Sequence, residues 1–205
     1  MKIELKNIQH FSSLSEETEA FMASIYVNGS LAGYAENEGK GGETNYYPKD
    51  ERGQRLISRA EEFAKSLQNR AAEDPLQNLA FEQMINKILY THLKEKQHEE
   101  FNRQLQEISK KAIVIGMPYS YYYYFKLNHP IADYLLRQDR IEMLKNILKT
   151  EVLPELKPDE KILNKNIPVD VLRAAGMKDE KWIIGAQDKN DNSTELSPKN
   201  TGRRR

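Results

Sequence analysis

Around a single Asn-Gly pair, the N-terminal third of the chain alternates apolar and polar residues with a period of two, and this pattern most constrains the fold. Ile3 and Leu5 share a face in "MKIELKNI", Phe21, Ala23 and Ile25 share one in "EAFMASIYV", and "SLAGYAE" follows Asn28-Gly29. Successive strand side chains point to opposite faces, so each segment can bury one row of residues and leave the other in solvent. Asn-Gly between two such runs is a hairpin signal. The pattern predicts an antiparallel three-stranded meander over 1–48. Two registers compete. A two-residue turn centred on Asn28 and Gly29 would pair Ile25 with Ala32 and Phe21 with Glu36, setting a carboxylate on the apolar face. A turn with Gly29 as a left-handed bulge pairs Ile25 with Leu31 and Phe21 with Ala35, and leaves Tyr26, Ser24, Ala32 and Tyr34 on the other side. The second register is preferred because it buries apolar groups.

A meander needs something to cover its apolar row, and the following sequence supplies helices. Asp50 can cap one in which Leu56, Ala60, Phe63 and Leu67 recur at helical spacing with Ile57 and Ala64 beside them. Asp74-Pro75 signals a second start, followed by Leu76, Leu79, Ala80, Met84, Ile85, Ile88, Leu89 and Leu93. "KEKQHEE" interrupts that stripe before Phe101, Leu105 and Ile108 resume it, so the helix either projects its middle into solvent or breaks near 95–99. "AIVIGM" then reads as a strand, Pro118 to Ser120 as a turn and "YYYYFKL" as the antiparallel partner. Asn128-His129-Pro130 opens another helical region, with Ile131, Tyr134, Leu135, Ile141, Leu144, Ile147 and Leu148, which Pro154 and Pro158 end. "IPVDVLRAAG" makes a short helix stopped by Gly176, and Trp182 in "KWIIGA" is a packing residue. The expected class is α+β: a three-stranded meander (1–48) packed on helices (50–110), with a second β-hairpin near 112–127 and further helices to 187, all in a single domain over 1–187. From Asp188 the composition turns polar, and 188–205 reads as a disordered tail.

With 205 residues the chain has enough apolar surface to fold without staples. Cysteine is absent, which excludes disulfides, thiol catalysis and cysteine-ligated metal sites. No apolar run is long enough to span a bilayer, and the alternating N-terminus is unlike a signal peptide, so a cytoplasmic protein with no membrane partner is the default expectation. The net charge is zero but unevenly spread. Residues 1–48 carry seven acids and three lysines, a net −4; residues 110–150 carry seven basic residues and three acids, a net +4.

Three features bear on function. If Phe125 and Leu127 face the core, Tyr121 and Tyr123 join them, while Tyr122, Tyr124 and Lys126 point outward. That outward row could anchor a protein or stack on bases with help from Lys110, Lys111, Arg137 and Arg140; the plainer reading is packing cross-strand or beneath a neighbouring helix, with only the hydroxyls wet. The loop with Gly39, Lys40, Gly41 and Gly42 could form an anion nest, although it lacks Walker spacing and more simply connects two elements. Catalytic and metal constellations are not legible: the four histidines are scattered, Asn102 stands where "HEEFN" would need a second histidine, and Glu155-Leu156-Lys157 lies between prolines rather than on a strand. No catalytic residue, metal ligand or cofactor is assigned.

The stretch "LSEETEAFMASIYVNGSLAGYAENEGKGGETNYYP" over 14–48 resembles a group of small bacteriophage and bacterial mobile-element proteins, and the portion from "KKAIVIG" to "ILNKNIP" resembles them more loosely. The resemblance implies a setting rather than an activity: small phage-borne accessory proteins that bind host proteins, including antiviral defence factors. The leading expectation is a non-enzymatic protein that binds and modulates a host protein through Tyr122, Tyr124, Lys126, Arg137 and Arg140. The alternatives are nucleic-acid binding by the tyrosine-rich basic hairpin, and sequestration of a small phosphorylated ligand by the glycine loop.

Overall fold

The computed structural model describes residues 1–68 and 80–183; the Asp74-Pro75 start signal, Leu76, Leu79 and the expected tail over 188–205 lie outside the described residues. The fold is α+β. A single domain over 1–187 is the expectation from sequence, whereas the chain divides into two compact units between Lys96 and Gln97, each with its own sheet.

The first unit is built on a sheet of β1 (Ile3–His10), β2 (Phe21–Val27), β3 (Ser30–Asn37) and β4 (Asn45–Pro48), antiparallel throughout and in that spatial order. The fourth strand is an addition to the three expected. "NYYP", at the end of the glycine-rich segment, pairs Tyr47 with Tyr34 and Tyr46 with Ala35, which ties that segment to the sheet.

The β2–β3 register differs from both expected ones. Val27 pairs with Ser30 across a two-residue turn, with positive φ at Asn28 (49°) and Gly29 (81°), as the favoured hairpin turn requires. Beyond Tyr26↔Leu31 the register shifts, and Ile25 meets Gly33, Ala23 meets Ala35 and Phe21 meets Asn37. Ala32, completely buried, is the extra residue of a bulge. It re-phases β3 so that Glu36 pairs with Met22, off the core row, and removes the conflict that argued against the tight turn.

Phe21, Ala23, Ile25 and Val27 pack with Leu5 against α1 (Glu51–Gln68) and the first part of α2 (Ala80–Ile108). Asp50 caps α1, its Oδ1 accepting from the Gly53 amide at 2.7 Å. Ile57, Ala60 and Ala64 form the buried stripe of α1; Leu56 and Phe63 flank it and Leu67 is exposed. Helix α2 is continuous through "KEKQHEE", so its exposed middle is solvated rather than broken. Residues 80–96 of α2 contribute Phe81, Ile85 and Leu89 to the first unit's core.

In the second unit, β5 (Ala112–Met117) lies between β6 (Tyr121–Lys126) and the short β7 (Lys161–Ile162). The hairpin thus forms a sheet of its own. Both faces of β5 are buried, as its unbroken apolar sequence suits. Ile113 and Ile115 pack with α3 (Ile131–Tyr134), α4 (Gln138–Ile147), α5 (Val169–Ala174) and Trp182. Val114 faces the other way, onto Leu105 of α2 and Leu163, with Phe101, Ile108 and Tyr122 beside them.

Candidate functional site

The tyrosine ribbon is divided by the two faces of its sheet. Tyr121 and Tyr123 donate to the two oxygens of the buried Glu160 carboxylate at 2.9 and 2.7 Å, and the Lys157 amide donates to the same group at 3.1 Å. Burial alone would raise the Glu160 pKa, but these donors outweigh it and hold the carboxylate below its ordinary value. Burial and the bond to Glu160 push Tyr123 up to about 12. The cluster is a satisfied polar knot on the core face.

The outward row is only half available. Tyr122 lies against Phe101, ring centroids 5.5 Å apart in edge contact, and its hydroxyl donates to Gln104 at 3.0 Å. The expectation that Tyr122 is free for a partner is corrected: a helix covers that face too, because β5 is apolar on both sides. Tyr124 is 54% exposed, and Lys126 is exposed beside it. Arg137 and Arg140 do not join them. Tyr124 shares a face with its cross-strand neighbour Val114, whereas α4 packs its Leu144 on the opposite face with Ile113 and Ile115. Arg137 is moreover clamped by Asp139 through two bonds of 3.0 and 3.1 Å, and Lys110 holds Glu107 at 2.7 Å. The five expected contact residues are therefore not one surface.

The glycine loop uses its polar groups internally. The Gly39 amide donates to Asn37 Oδ1 at 2.8 Å and the Gly41 amide to Thr18 Oγ1 at 3.3 Å. The Gly39 carbonyl accepts the amides of Glu16, Glu17 and Thr18 at 2.9, 3.0 and 3.3 Å. Gly39 has φ of +86°, and a Cβ there would collide with the Leu14 carbonyl, so only glycine fits this close crossing. The Glu17 carboxylate lies directly against Gly41, and Lys40 is within 3.9 Å of Glu38. Gly39, Lys40, Gly41 and Gly42 thus staple the loop after β1 to the loop after β3; with two amides spent and a carboxylate alongside, the arrangement does not suit an anion.

The surface that emerges instead is the open face of the first sheet. Helices cover the Ile25 row; the alternate row carries Met22, Ser24, Tyr34 and Tyr47, with Lys6, Ser24, Tyr34 and Tyr47 aligned across all four strands. Met22, Tyr34 and Tyr47 are 47%, 47% and 50% exposed. Lys6 Nζ lies 4.5 Å above the Tyr26 ring, and Lys2 bridges Glu4 at 2.9 Å, so both cations near this face are engaged. The alternation that put Tyr26 and Tyr34 away from the core already contained this signal, but Tyr47 reaches the row only through β4, whose pairing the sequence did not disclose.

Comparison with known protein families, with curated proteins and with solved structures finds no match to this chain. Among the described residues, no helix is long and apolar enough to cross a membrane, and no group of three or more His, Asp or Glu is placed to hold a metal ion.

Proposed function

We propose that this protein works by binding another protein, as an accessory factor that modulates a host protein, and that the open face of its N-terminal sheet is the docking surface. The observation that carries this reading is the row of exposed Met22, Tyr34 and Tyr47 on one face of a four-stranded sheet. Tyrosine and methionine are enriched at protein interfaces, where they bury large area at modest entropic cost. The acidic balance of 1–48 disfavours a nucleic-acid backbone on the same face. Nucleic-acid binding by the hairpin retains Tyr124 and Lys126 but loses Tyr122 to Phe101 and both arginines to another face. A small phosphorylated ligand finds the glycine-loop amides already bonded.

The test is affinity capture from host lysate with the intact chain and with a Tyr34→Ser/Tyr47→Ser variant. A saturable partner recovered by the former and reduced about tenfold or more in the latter, as loss of interface hot spots implies, supports the reading. No saturable partner, or equal recovery by both, overturns it.

A further inference from the structure

Met22 and Glu36, paired across β2 and β3, are shared by two grooves. One runs over the open sheet face beside Tyr34 and Tyr47. The other, about 320 Å³, lies at the end of the sheet between the loop after β1 and the end of β3, and its lining includes Phe11, Leu14, Glu16 and Glu38. Phe11 is 38% and Leu14 57% exposed, so with Met22 three large apolar side chains meet at one depression. Singly exposed apolar residues need no explanation; a cluster in a groove does.

The rim has one dominant sign. Glu16, Glu36 and Glu38 surround the apolar floor, and the lysine that lines the groove, Lys40, is 3.9 Å from Glu38. The walls are built rather than loose. Phe11 and Ala20 close the β1–β2 loop, amide to carbonyl at 2.9 Å, and Ser15 Oγ accepts the Ala20 amide at 2.9 Å. The Gly39 carbonyl then ties that loop to the end of β3 through three amides. The glycine loop, unsuited to an anion, is the scaffold of an acid-rimmed apolar groove.

We infer that this groove takes a positively charged protein segment, one that sets apolar side chains on Phe11, Leu14 and Met22 and lysine or arginine against Glu16, Glu36 and Glu38. The inference deepens the proposed protein-binding function and rests on it. Apolar burial supplies the affinity, while the carboxylates select the sign of the partner and steer its approach. An acidic segment would bring like charges together, and a purely hydrophilic basic segment would leave the floor wet.

The experiment measures binding of short labelled peptides to the intact chain by fluorescence anisotropy. The probes are a peptide of lysines and leucines, a version with glutamates for lysines and a version with serines for leucines. The expected result is binding of the first alone, weakened by added salt. It should fall about tenfold in a Glu16→Gln/Glu36→Gln/Glu38→Gln variant, the sum of three weak rim pairs, and similarly in Leu14→Ser/Met22→Ser. A Glu16→Lys/Glu36→Lys/Glu38→Lys variant should exchange preference to the glutamate peptide, which unfolding could not produce. Equal binding of the lysine and glutamate probes, no binding of any, or no effect of the glutamate substitutions overturns the inference. If those results come with a captured partner that still depends on Tyr34 and Tyr47, docking on the sheet face stands and only the partner's chemistry is wrong; if capture also fails, both readings fall.

Discussion

At the scale of single residues, two buried polar side chains carry more of the second unit than their number suggests. Asn164 substitutes for a strand where β7 runs out: its Oδ1 accepts the Val114 amide at 2.6 Å and its Nδ2 donates to the Ala112 carbonyl at 3.0 Å. Asn164→Ala leaves both groups of β5 buried and unpaired, at about 1–3 kcal/mol for each. Thermal or urea unfolding should therefore register one of the larger single-site losses in the protein. Glu160 gives a pH signature. Its folded pKa lies below the ordinary carboxylate value, so its contribution is complete above that ordinary value and is lost as pH falls through the lower, folded one. Stability measured through the acidic range should fall with that contribution in the native protein. Glu160→Gln should flatten this dependence while lowering stability near neutrality, because the amide no longer accepts charge-assisted bonds from Tyr121 and Tyr123. Neither role was legible in the sequence. An isolated Asn or Glu between apolar segments looks the same whether it is solvated or enclosed, and only the fold brings Asn164 to within bonding distance of a residue 50 positions earlier.

At the scale of elements, periodicity was a good guide to type and a poorer one to pairing. Asp50, the stripe through Ala60 and Ala64, the hairpin over 112–127 and the helix stop at Gly176 all follow from local chemistry, and each is present. The extra residue Ala32 reverses the facing of everything after it relative to the tight-turn register, and relative to the preferred one it slides each later pairing by two residues and buries Ala32 itself; no local signal marks a bulge in "SLAGYAE". The open row was legible only in part: alternation set Tyr34 away from the core, whereas its pairing with Ser24 depends on the bulge, and Tyr47 is added only through β4. Packing of the hairpin on α2 can be tested directly. Phe101 contacts both Tyr122 and Tyr119 at 5.5 Å, and Phe101→Ala should cost about 1–3 kcal/mol for a half-buried aromatic group. It should also raise the reactivity of Tyr122 toward tyrosine-modifying reagents, read by peptide mass spectrometry, while leaving that of Tyr124 as it was.

At the scale of the whole molecule, separate cores predict separable responses. Ile25 is fully buried in the first unit and Leu144 in the second, and truncating either should cost about 2–5 kcal/mol. Hydrogen exchange should accelerate most within 1–96 for Ile25→Ala and within 97–183 for Leu144→Ala. Uniform acceleration across both segments in each variant would show one cooperative unit instead. The charge asymmetry also belongs to this scale: if the proposed docking holds, the acidic balance of 1–48 should speed association with cationic segments, and stopped-flow association rates should fall as ionic strength rises.

Local pattern alone determined the α+β class, the positions of most strands and helices, and the buried row of β2, because these depend on spacing along the chain. Tertiary structure alone decided that α2 runs unbroken, that β5 is covered on both faces so that Tyr122 packs on Phe101, and that β4 and one bulge assemble Met22, Tyr34 and Tyr47 on an open face. Those outcomes turn on which segment packs against which, and residue order does not contain that choice until burial and hydrogen bonding are satisfied in three dimensions.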